Sequence, residues 1–216
     1  MWSRTWTALQ RAAKQSMEPG KPMEPVEMFR FAGKEALKKW EVFSDADHGG
    51  RSHVKWEWTD GKDGGEACFH GHLRTDVDEK SRLTRSGFCG IRSLPPSSGH
   101  LPMEACNVIT FRVFGDGRRY IASLRTDNWI APPGAPPDLW QAVLDPPPGT
   151  WHTVRLPLDA FLLTWKGRLV DTLETLPDNR VVSVGIAAAC EADVAQPGPF
   201  ALRLAAIGAE RDLSLL

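Results

Sequence analysis

The stretch Asn107-Val108-Ile109-Thr110-Phe111-Arg112-Val113-Phe114, then Gly115-Asp116-Gly117, then Arg118-Arg119-Tyr120-Ile121-Ala122-Ser123-Leu124-Arg125, decides the fold class. Ile109, Phe111 and Val113 recur at every second position, and so do Tyr120, Ala122 and Leu124. Side chains of an extended strand point alternately to two faces, so a period of two marks a half-buried strand. Gly-Asp-Gly between two such runs is a tight-turn signal, and the whole reads as a β-hairpin.

The same period extends upstream. Val54, Trp56 and Trp58 alternate with Lys55, Glu57 and Thr59. After a turn over 60–65, Ala67, Phe69, Gly71 and Leu73 share one face and Cys68, His70 and His72 the other. Thr84-Arg85-Ser86-Gly87-Phe88-Cys89-Gly90-Ile91-Arg92-Ser93 packs two Arg-Ser pairs and two glycines into ten positions. It suggests a special backbone shape beside a polar surface, or a bulged strand with two surface arginines. Further upstream, 26–31 reads as a strand and 33–40 as a two-turn helix with Leu37 and Trp40 inward. Ser44-Asp45-Ala46-Asp47-His48-Gly49-Gly50-Arg51-Ser52 reads as a loop that either caps itself or holds a metal or base.

Downstream, 127–138 is a loop with four prolines and Trp129, suited to binding or to plugging one end of a sandwich. Strands follow at 139–144 and 151–156, then a short helical piece at 157–161 and a second long loop from Trp165. The final strands are 181–189, apolar on both faces and therefore central, and 200–207. About ten short strands punctuated by Gly and Pro, with little helix, predict an all-β jelly-roll sandwich with short peripheral helices. The expected organisation is a basic N-terminal segment and linker at 1–25, a sandwich domain at 26–208 and a tail at 209–216.

The 216 residues suffice for one well-buried domain, and the net charge of −1 gives no field favouring nucleic acid. No apolar run approaches the ~18 residues of a membrane-spanning helix. Residues 1–17 lack acids, carry Arg4, Arg11 and Lys14, and place Trp2, Trp6, Leu9 and Ala13 at helical spacing. That is the pattern of an organelle transit segment, or of a short surface helix. Cys68, Cys89, Cys106 and Cys190 are widely spaced in apolar contexts and read as free, buried thiols of a reducing compartment.

No nucleophile elbow, zincin motif or phosphate loop occurs, and Gly115-Asp116-Gly117 leads into a strand rather than a helix. No residue pattern argues for an enzyme, a cofactor or a metal; the row Cys68, His70, His72 lacks a fourth zinc ligand. Arg92, Asp116, Arg118, Tyr120 and Trp129 come from segments that meet near one end of a sandwich, as a binding surface or as an Asp-Arg pair that holds the loops together. Of the two readings the loop-holding pair is the more common use of such residues; where a partner docks, Trp and Arg are the residue types most often found as interface anchors.

Several elements in order carry a family resemblance. They are Trp40 with Ser44-Asp45 and Gly49-Gly50-x-Ser52; Phe69-x-Gly71; Gly87-Phe88-Cys89-Gly90-Ile91-Arg92-Ser93; and Gly115-Asp116-Gly117-Arg118-x-Tyr120. Trp140-Gln141, Trp151 with Pro157 and Phe161, Gly185-Ile186 and Gly198-Pro199-Phe200 complete the set. Over about 29–208 the chain resembles the complex I intermediate-associated protein 30 family (NADH:ubiquinone oxidoreductase complex assembly factor 1), and looks most like its short plant and algal members. The resemblance implies a galactose-binding-like β-sandwich on the matrix side of the mitochondrial inner membrane. It also implies a non-catalytic factor, or a retained accessory protein, without a cofactor. The implied partners are membrane-arm subunits or assembly intermediates of complex I and other assembly factors, with no nucleic acid. The alternative is a carbohydrate-binding β-sandwich module, suggested by fold analogy and surface tryptophan.

Overall fold

The computed structural model describes residues 24–61, 64–78, 83, 85–127, 137–165, 167–172, 174–190 and 196–215. They form two facing antiparallel sheets. One contains β1 (Val26–Arg30), β3 (His53–Thr59), β4 (Glu66–Leu73), β6 (Val108–Phe114), β9 (Trp151–Pro157) and β13 (Gly198–Glu210). Its order is β3-β4-β13-β6-β9, with β1 also on β13. The other contains β2 (Trp40–Ser44), β5 (Phe88–Ser93), β7 (Tyr120–Thr126), β8 (Asp138–Leu144), β10 (Leu162–Trp165), β11 (Arg168–Leu169) and β12 (Val181–Ala189), in the order β11-β10-β8-β7-β12-β5-β2. The architecture is the expected jelly-roll sandwich.

The alternating residues face the core as read: Ile109, Phe111, Val113, Tyr120, Ala122 and Leu124 are all buried. Their strands nevertheless do not pair. β6 bonds to β13 and β9 in one sheet, and β7 to β12 and β8 in the other. The expected hairpin is thus a corner that carries the chain across the sandwich. Alternation requires only that both runs bury one face, and strands in opposing sheets satisfy that as well as strands side by side.

Other expectations shift locally. Residues Lys34–Lys39 form a 3₁₀ turn rather than an α-helix, and Trp40 opens β2, a strand hidden by its brevity and by an adjacent charged run. Phe88–Ser93 pairs on both sides without a bulge. Trp165 does not open a loop; it closes β10, which pairs with β11. β12 lies between β7 and β5, a central position that accounts for its two apolar faces. β13 runs to Glu210, two residues into the stretch read as a tail. The four thiols are free, with Cys89 and Cys106 buried but Cys68 and Cys190 only half-buried. Burial, then the charge of Asp45, pushes the Cys89 thiol up to about 12, so it stays protonated at neutral pH.

Between the sheets, Phe31 meets Trp56 edge-on at 5.4 Å, and Trp40 lies 5.8 Å from Trp56. Trp40, Trp56 and Trp140 thus belong to the core or pack against it, while Trp165 is exposed. Among the described residues no helix is long and apolar enough to cross a membrane.

Candidate interaction surface

Asp45 organises one end of the sandwich. It follows Ser44, which caps a short 3₁₀ turn in a reciprocal capping box with Asp47. Its side chain is fully buried and accepts hydrogen bonds from the Ser52 N–H (3.0 Å), the Ser52 hydroxyl (2.9 Å), the Gly87 N–H and the Phe88 N–H (3.4 Å). Gly87 has a φ of +78° and delivers its N–H to Asp45 in a shape that side-chain-bearing residues rarely adopt. The Ser44–Ser52 and Gly87–Ser93 motifs are thus two halves of one internal network, and the loop reads as self-capping. A carboxylate whose lone pairs are taken by backbone and hydroxyl donors has little left for a metal or a proton-transfer step.

Asp116, Arg118 and Tyr120 assemble at the same end. Asp116 accepts from the Arg118 N–H (2.9 Å) and from the Ala201 N–H (2.7 Å), which ties the sheet-crossing corner to β13. Arg118 donates to the Gln196 carbonyl at 2.8 Å. Tyr120 is a core residue, with its ring 6.3 Å from Phe69. Its enclosed hydroxyl has no hydrogen-bond partner in good geometry; burial, then the Asp116 charge, raises its titration.

Arg92 lies elsewhere. It is the penultimate residue of β5, on the outer face of the seven-stranded sheet, opposite Glu41 and Gly185. The expected single cluster is therefore split, because Arg92 is four residues beyond the end of β5 that Asp45 holds. Trp129 falls outside the described residues. The loop that carries it leaves from Asp127, two residues beyond Arg125, and returns at Pro137.

Strand register arranges the outer face in rows. Phe43, Gly90, Ala187, Ile121 and Val143 form an apolar row. Glu41, Arg92, Gly185, Ser123, Gln141 and Leu162 form the next, and Arg125, Leu139 and Thr164 a third. Gly90 is required here: a Cβ would sit 2.1 Å from the Phe43 ring, which lies across the glycine. Glu41 accepts a hydrogen bond from Arg92, and that bond holds its carboxyl below the usual range. Arg125, half-buried, has no hydrogen-bond partner among the described residues. Burial, then the Arg92 charge, lowers its titration, and Glu41 alone opposes this. Two guanidiniums thus share one carboxylate, and among the described residues the donor fork of Arg125 is unused. The single Thr164 hydroxyl proton is shared between the Leu139 carbonyl (3.1 Å) and the Gln141 side-chain oxygen (2.9 Å).

The outer face of the six-stranded sheet is more self-contained. Arg203 pairs with Glu66 and stacks on Phe114 (4.6 Å) and Trp151 (5.3 Å). Cys68, His70 and His72 share this face but engage different groups: His70 Nε2 contacts Glu57 at 3.0 Å, and His72 stacks on His53 at 5.8 Å. Among the described residues no group of three His, Cys, Asp or Glu side chains is placed to hold a metal ion.

Residues 29–204 match the family described as complex I intermediate-associated protein 30. The chain belongs to the complex I intermediate-associated protein 30 family. It is 30% identical over 201 residues to "Complex I intermediate-associated protein 30, mitochondrial" of Drosophila melanogaster, covering 90% of this chain and 66% of that protein. It is 27% identical over 205 residues to the protein of the same name from Mus musculus, covering 89% and 60%. The chain thus spans just under two thirds of the length of each of these relatives. Among solved structures it is similar to the family 11 carbohydrate-binding module of Clostridium thermocellum in complex with a β-1,3-1,4-mixed-linked tetrasaccharide. The TM-score is 0.63 at 16% identity, covering 88% of this chain and 96% of that one. At that identity the likeness speaks for the sandwich alone.

Two residues of the chain's outer face, Arg125 and Glu41, are not singled out by the sequence. Arg125 was legible in principle, since it alternates with the inward Tyr120, Ala122 and Leu124. Glu41 was not, because β2 itself was not recognised.

Proposed function

We propose that this chain is a non-catalytic assembly factor, or a retained accessory protein, of mitochondrial respiratory complex I. It works through protein–protein contacts on membrane-arm intermediates, from the matrix side of the inner membrane. The family match over residues 29–204, with relatives named as mitochondrial complex I intermediate-associated proteins, carries this reading. The proposed contact surface is the outer face of the seven-stranded sheet around Arg92 and Arg125. An acidic side chain on the partner supplies a second carboxylate for the two guanidiniums that share Glu41, and the apolar row beside them supplies contact area. Trp129 is the proposed aromatic anchor at its margin, while Asp116, Arg118 and Tyr120 hold the sheet-crossing corner in shape. The carbohydrate-binding alternative is the weaker one, because it rests on a likeness of fold at 16% identity while the family match covers residues 29–204.

The test is native-gel fractionation of mitochondria with mass spectrometry of each slice. Co-migration with subcomplexes that contain membrane-arm subunits is expected. Migration near the chain's own mass, or absence from mitochondria, overturns the proposal.

A further inference from the structure

The end of the sandwich remote from Asp45 holds an open cleft of about 480 Å³. Its walls are apolar: Trp140, Leu158, Phe161, Leu163, Leu176 and Cys106. Leu162, Leu169 and Leu215 at its margin are more than half exposed, an unusual concentration of uncovered leucine for a soluble surface. Asp159, Asp171, Glu174 and Asp178 line it as well, and no lysine, arginine or histidine does so among the described residues. Asp178 is partly engaged, accepting the Ala105 N–H at 3.0 Å. Asp159, Asp171 and Glu174 make no ion pair among the described residues. An apolar trough with carboxylates on its rim calls for an occupant that is apolar on one side and cationic on the other.

Residues 1–17 have that chemistry, with Trp2, Trp6, Leu9 and Ala13 at helical spacing, Arg4, Arg11 and Lys14, and no acid. They are also tethered at this end. Val26 pairs with Ala209, and Ala209 with Ile109, so β1 begins two strands from β6, roughly 10 Å away at the usual strand spacing. Asn107, two residues before Ile109, lines the cleft and binds the Asp212 backbone through both its side-chain atoms (2.8 and 2.7 Å), and Leu215 lies just beyond. Residues 18–23 can span about 20 Å when extended, enough to cross that gap. We propose that the chain's own basic N-terminal segment, residues 1–17, docks in this cleft, with Trp2 or Trp6 in the apolar trough and Arg4, Arg11 and Lys14 on the carboxylate rim. The inference takes residues 1–17 as the retained surface helix rather than as a transit segment that is removed, and it needs no complex I partner, since the contacts lie within one chain.

The test is hydrogen exchange on the full chain, comparing wild type with Asp171→Lys/Glu174→Lys, with Arg4→Glu/Arg11→Glu/Lys14→Glu, and with the combination. Backbone amides of residues 162–170 are expected to exchange about tenfold faster in either charge-reversed variant, the effect of a few partly exposed ion pairs. In the combined variant, where the signs are swapped on both sides, the protection returns. Equal exchange in all four proteins overturns the proposal, and so does failure of the combined variant to recover while its melting temperature matches wild type. A photo-reactive leucine analogue at Leu9 gives a second readout: cross-links to the 158–176 region support docking, and cross-links confined to other surfaces overturn it.

Discussion

Asp45 and Arg125 are both charged side chains taken out of water by the same sandwich, and they fare oppositely. Asp45 is closed in by donors from its own turn and from the start of β5, so its charge is spent on holding two loops together. Arg125 is half-buried beside a second arginine, has no hydrogen-bond partner among the described residues, and shares one distant claim on Glu41. A buried charge that is fully solvated by the protein is architecture. One left partly desolvated and unpaired is a cost to the isolated chain that a partner's carboxylate can offset.

The largest test of this contrast is Asp45→Ala. It leaves buried N–H groups of Ser52 and Gly87 without an acceptor, and a loss of about 3–5 kcal/mol in denaturant unfolding is expected. A loss below about 1 kcal/mol would make Asp45 no more structural than a surface acid. Next is Gly90→Ala, whose new methyl displaces the Phe43 ring and costs about 1–2 kcal/mol. Combining it with Phe43→Ala, which removes the clash, should cost less than the two single changes added together. Arg125→Ala should change stability by less than ~0.5 kcal/mol, or raise it, because burial and Arg92 both oppose its charge. The same change should remove the chain from membrane-arm subcomplexes on native gels; retention there would mean that the face is not the contact surface.

The smallest effect concerns acid. Asp212 accepts from the Ser214 hydroxyl and N–H and pairs with Arg155 at 2.8 Å, which lowers its carboxyl to about 2 from the ordinary 3.8. Its folded-state pKa is depressed, so the stabilisation is fully present above about pH 4 and is lost as pH falls through 2. Melting temperatures of Asp212→Asn and wild type should therefore converge in that window and differ above it. A constant difference from pH 2 to pH 7 would show that the ionised carboxylate is not what matters.

Sequence by itself determined which residues face inward, because the period of two is a local property of an extended backbone. It also determined the all-β class and the central place of β12, whereas the 44–52 loop stayed open between self-capping and a metal or base until the structure showed its capping box. Only the tertiary structure decided pairing. β6 and β7 read as neighbours and lie in different sheets, since inward alternation is equally satisfied side by side or face to face. It likewise decided that Asp45 joins Gly87, 42 residues away in sequence, and that Arg92 stands with Glu41 and Arg125 rather than with Asp116. Hydrogen-bond partners across strands follow from register, and register depends on the whole stack of strands rather than on any one stretch.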